Sequence, residues 1–83
     1  MSKYLQIIAH INIPGKGLFA WSDVSDSKNQ LLQWGYWATQ KLFLHETGTW
    51  IYPVFRDGKI TAVLNNQTET IGDYQIEEWT NGK

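Results

Sequence analysis

The stretch WIYPVFRDGKITAVL, Trp50 to Leu64, decides the fold. Asp57-Gly58 supplies the two central residues of a type I′ turn, where both take positive φ, a conformation free to Gly and tolerated by Asp. That turn sets a hairpin register in which Arg56 faces Lys59, Phe55 faces Ile60, Pro53 faces Ala62 and Ile51 faces Leu64. Side chains alternate along strands, so one face carries Ile51, Pro53, Phe55, Ile60, Ala62 and Leu64, all apolar. This face is assigned to the core. The other face carries Trp50, Tyr52, Val54, Arg56, Lys59, Thr61 and Val63.

Working outward, Tyr4 to Ile13 alternates with Leu5, Ile7, Ala9, Ile11 and Ile13 on one side, which predicts a strand with one buried face. Pro14-Gly15-Lys16-Gly17 breaks it, and Leu18 to Val24 reads as a second strand returning beside the first. Ser25-Asp26-Ser27 then announces a helix. Ser27 followed by Gln30 is the S-x-x-Q form of the capping box, in which the Ser oxygen accepts from the N3 amide and the Gln reaches back to the Ser amide. From Lys28 a helical stripe of Leu31, Trp34, Gly35, Ala38 and Leu42, widened by Leu32, Tyr36, Thr39 and Phe43, is suited to packing on a sheet. Gly48 is placed as the left-handed residue that ends it.

A rival reading stops the helix at Gly35 and makes Trp37 to His45 a strand. Pro53 weighs against it. A strand lying beside Trp50 to Phe55 would need an N–H that Pro53 lacks, so the long helix is preferred and Trp50 to Phe55 is placed at a sheet edge. Beyond Leu64, Asn65 to Thr70 is read as a polar turn and Tyr74 to Trp79 as a last strand. The expected architecture is α+β: a single small domain spanning residues 1–83, an antiparallel sheet with one packed helix, in the order ββαβββ.

Composition narrows the function classes. The chain has no Cys, which excludes disulfides, thiolate zinc sites and thiol nucleophiles and fits a reducing cytosol. The N-terminus lacks the continuous apolar run of a signal peptide, and no run approaches a membrane span, so a cytoplasmic protein without membrane association is expected. Net charge is −1, with basic residues dispersed along the chain, which argues against a phosphate-tracking groove and against nucleic acid as a partner. The aromatic load is heavier than a small core requires, at five Trp, four Tyr and three Phe.

Chemistry-bearing patterns are sparse. Asp23-Val24-Ser25-Asp26-Ser27 has the D-x-S-x-S spacing with which von Willebrand factor A type domains hold a divalent cation. Those domains use a larger parallel sheet and further loops without counterpart here, so turn and helix-cap roles are preferred. Neither His10 nor His45 has a second histidine four residues away. His10 lies on the polar side of a strand, and His45 suits the dipole of a helix C-terminus. Gly15-Lys16-Gly17 lacks the Ser or Thr and the helix start of a phosphate loop. No catalytic residue, cofactor or metal ligand is assigned.

The aromatics carry the functional expectation. On the long helix, Trp37 and Leu44 project opposite the apolar stripe, among Gln30, Gln33, Gln40 and Lys41, while Trp50, Tyr52 and Val54 line the outer face of the hairpin. Such patches, apolar with a neutral polar rim, have the composition of protein interfaces, whose buried Trp and Tyr anchors cost about 2 kcal/mol or more when truncated. The competing reading makes them core. The function expected is that of a non-enzymatic protein-binding module, of the inhibitor or immunity type, occluding a larger target through Trp37, Leu44, Trp50, Tyr52 and Val54; the edge strand also offers self-association. The alternative is a carbohydrate- or small-ligand-binding domain in which Trp and Tyr rings stack on the ligand. An enzyme ranks third.

Overall fold

The computed structural model describes residues 3–79, so residues 1–2 and 80–83 of the expected domain lie outside the described residues. The elements are β1 (Tyr4–Ile13), β2 (Gly17–Ser25), α1 (Lys28–Thr47), β3 (Val54–Arg56), β4 (Lys59–Leu64) and β5 (Gln67–Trp79). They form one five-stranded antiparallel sheet in the order β2-β1-β5-β4-β3, with α1 on one face. This is the expected α+β fold in the expected order. The long helix replaces the rival strand outright.

Local chemistry accounts for the elements. Asp57 and Gly58 both adopt positive φ, 52° and 79°, and the register Arg56–Lys59 and Phe55–Ile60 follows as the type I′ turn requires. Gly48 ends α1 at φ 76°, and its N–H donates to the Leu44 carbonyl at 2.8 Å. At the other end the Gln30 amide donates to Ser27 Oγ at 3.2 Å. The reciprocal half of the capping box is made differently: the Ser27 amide donates to Ser25 Oγ at 3.1 Å, a nearer acceptor than the Gln30 side chain.

The core lies between α1 and the sheet. Ile7, Ala9, Ile11 and Ile13, the inward residues of the interior strand β1, are completely buried, joined by Ile60 and Ala62 of β4 and Ile71 of β5. From α1, Leu31, Gly35, Thr39 and Phe43 are buried, an i, i+4 row turned one position away from the expected stripe. Trp34, expected in that stripe, is 39% exposed. Gly35 explains the shift. A Cβ at this position would sit 3.0 Å from Phe55 Cε2 and 3.5 Å from Trp21 Cζ3, so the residue that weakens an isolated helix lets α1 settle onto two aromatic rings.

Thr39 is the anomaly in this row. Its Oγ1 is buried with no hydrogen-bond partner. Thr39→Val keeps the shape and removes the unpaired hydroxyl, at nearly unchanged helix propensity, so it is expected to raise stability by about 1 kcal/mol in urea unfolding.

Two strand boundaries depart from expectation. Trp50 to Pro53 is extended in its alternating burial but is not part of the sheet, and β3 is only three residues long. The pairs Pro53–Ala62 and Ile51–Leu64 are therefore not made. Along this stretch the segment is held to the helix instead, and the Ile51 carbonyl accepts from Gln40 Nε2 of α1 at 2.7 Å. At the other boundary, the polar turn is Asn65-Asn66 alone, with φ 53° and 67°, and β5 begins at Gln67. Ile60 pairs with Gly72 but Thr61 pairs with Thr70, so a bulge leaves Ile71 unopposed and reverses the inward phase of β5. Ile71 is buried by it.

Among the described residues nothing covers the second face of the sheet. It presents Gln6, Ile8, His10 and Asn12 of β1 beside Ala20 and Ser22 of β2 and Gln75 and Glu77 of β5. No helix among the described residues is long and apolar enough to cross a membrane.

Candidate partner-binding site

The segment leading from α1 into β3 sets three of the expected site residues, Trp50, Tyr52 and Val54, on its outer side, opposite Ile51, Pro53 and Phe55. After Gly48 the chain turns back antiparallel to α1 and is held at two points, Ile51 to Gln40 by the hydrogen bond and Phe55 against Gly35 by ring contact. Between these points burial alternates strictly. Ile51 and Pro53 are buried, whereas Trp50, Tyr52 and Val54 are 55%, 65% and 51% exposed. The inner residues are what hold the outer ones out.

On α1, Trp37 and Leu44 stand three residues before and four residues after Gln40, so helical geometry aligns them in the row that borders the returning segment. Trp37 is 50% exposed, and its indole meets the Tyr36 ring edge-on at 5.4 Å between centroids. Leu44 is half-buried rather than projecting freely, and Gln40, expected on the exposed side with Gln30, Gln33 and Lys41, is buried. Both corrections have one cause. The returning segment lies against this flank and covers part of it.

The residue that sequence reasoning missed is therefore Gln40, which positions the segment without belonging to the exposed surface. A glutamine among Gln30, Gln33 and Lys41 carries no periodic signal of burial; only the fold supplies the carbonyl that it binds. Pro53 carried a partial signal, since a residue without an N–H is suited to a sheet edge, and its burial beside Ile51 anchors the segment.

Elsewhere, the groups that might carry chemistry are occupied locally or stand apart. In the D-x-S-x-S stretch, Asp23 Oδ1 accepts from the Val24 amide at 2.8 Å, and Ser25 and Ser27 accept from the amides of Ser27 and Gln30. These are the turn and cap roles expected from the sequence. His10 Nδ1 lies 3.5 Å from Asp73 Oδ1 on the uncovered sheet face, both side chains being largely exposed. No hydroxyl is hydrogen-bonded to this pair among the described residues. No cluster of three metal-ligating side chains occurs among the described residues. A depression of about 280 Å³ at the C-terminal end of α1 is lined by Phe43, Thr47, Thr49, Val63, Leu64 and Asn65 together with Pro14, none of which can serve as a general acid or base at neutral pH.

Comparison with protein families, with characterised proteins and with solved structures finds no match to this chain.

Proposed function

We propose that this protein is a non-enzymatic binding module that occludes a larger protein through the flank formed by Trp37 and Leu44 on α1 and Trp50, Tyr52 and Val54 on the returning segment. The observation that carries this reading is the alternation across residues 50–54: a segment pinned by buried Ile51 and Pro53 holds three large apolar side chains more than half exposed. Exposed aromatics on a fixed backbone lose little entropy on binding and bury large areas, which is the chemistry of interface anchors. The five residues themselves carry no charge, and Lys41, Arg56 and Lys59 stand at their margins, so the anchors can be buried while the ions stay at a solvated rim. An inhibitor or immunity-type role is the form of occlusion that such a surface suits. The lack of Cys supports a cytoplasmic setting for it.

The test is capture from the native host's lysate by immobilised protein, with Trp37→Ala and Trp50→Ala compared after circular dichroism shows both folded. One specific protein should be retained at stoichiometric level, and each variant should weaken its binding at least about tenfold. Retention unaffected by either substitution would refute the assignment of this flank. A Trp fluorescence response to glycans without any captured protein would favour the stacking alternative instead.

A further inference from the structure

The two edges of the sheet are built differently. β3 is blunted in the usual ways: it has three residues, follows Pro53 and carries Arg56. β2 has none of these defences along most of its length. It runs for nine residues, GLFAWSDVS, without proline, and its only charge is Asp23, near its end. Phe19 and Trp21 on the helix side are only half-buried, while on the uncovered face Leu18 is 70% exposed and Ala20 is exposed. Such an edge presents unpaired N–H and C=O groups with nothing to prevent another strand from adding.

The charges around β2 select the strand that adds. Lys16 precedes it, Asp23 and Asp26 lie at its far end, and no charge stands between Lys16 and Asp23. When two copies of β2 pair antiparallel, the basic start of each lies against the acidic end of the other; parallel pairing sets like against like. Centred on Ala20, the pairing places Phe19 of each copy opposite Trp21 of the other, an aromatic cross-strand pair of the kind that stabilises sheets. A two-fold axis normal to the sheet leaves both helices on one side. We infer that β2 is a self-pairing edge, through which two copies of this chain join their sheets antiparallel into one continuous sheet. This does not rest on the Trp37–Trp50 flank, which lies beside the opposite edge.

Sedimentation equilibrium from about 1 to about 100 μM tests it. Wild type should be a dimer within this range. Ala20→Lys, an exposed change that sets two ammonium groups together at the axis, should weaken association at least about tenfold with an unchanged circular dichroism spectrum. Because the axis repeats each contact, Lys16→Glu and Asp23→Lys should each weaken it about fivefold, and the double variant should return to within about twofold of wild type. A monomer throughout the range overturns the inference. So does a dimer indifferent to Ala20→Lys, a double variant that fails to recover, or a dimer that Trp50→Ala dissociates.

Discussion

Gly72→Ala is expected to lower the free energy of unfolding by about 3 kcal/mol. Gly72 pairs with Ile11 across the β1–β5 ladder, and a Cβ there would run into the His10 carbonyl oxygen and lie 3.2 Å from Ile11 Cα. Backbone atoms of a strand paired on both sides cannot step aside as the end of a flexible side chain can. The β5 strand would have to withdraw from β1, just where the bulge at Ile71 already bends it. A domain of this length has a stability of only about 4 to 12 kcal/mol, so the loss would be a large fraction of the whole. Gly15→Ala separates this cause from backbone preference. Gly15 has φ 79° with open space around its Cβ position, so its substitution should cost about 1 to 2 kcal/mol through conformation alone, whereas Gly72 is not among the positive-φ residues. Guanidinium unfolding of the two variants gives the comparison. Equal losses would show that close approach of β1 is not what Gly72 provides.

The same position shows where the sequence is legible and where it is not. Asp57-Gly58 and Gly48 could be read because the residue types required at positive φ are few, and β1 could be read because a strand with one buried face must alternate. β5 obeys the same rule but changes phase at Ile71, so the inward residues of its second half are Gly72, Tyr74 and Ile76, while the first half is Gln, Thr and Glu around a two-residue Asn turn. A polar strand pairing beyond a phase change resembles a loop. The stripe on α1 was legible in kind but misplaced by one residue, because Gly35 scores as a weakness in the helix until Phe55 is laid against it. The exposed residues of the candidate flank followed from the alternation of Trp50 to Val54, which survives although the ladder expected to produce it does not form. What replaces the ladder is a tertiary hydrogen bond from a residue with no apolar periodicity.

That bond is the object of the second large effect. Gln40→Leu is expected to cost about 2 to 3 kcal/mol, more than an exposed glutamine on the same helix, because it leaves the Ile51 carbonyl without a donor while Ile51 itself remains 2% exposed. Gln33→Leu, two turns earlier on the exposed surface, should change stability by no more than about 0.5 kcal/mol and serves as the control. The distinction is between burial of an unpaired acceptor and loss of a polar surface group. A second consequence is local. Without the Gln40 tether the segment from Thr49 to Pro53 keeps only its apolar anchors, so limited proteolysis should cut within it before it cuts in β1, which opens only with the whole fold. On the proposed reading of the flank, which needs a fixed presentation of Trp50 and Tyr52, Gln40→Leu should also weaken capture of the partner although Gln40 itself is buried. Should binding stay intact while cleavage in this segment rises, the aromatics bind from a mobile segment, and the rigidity conferred by Gln40 serves stability alone.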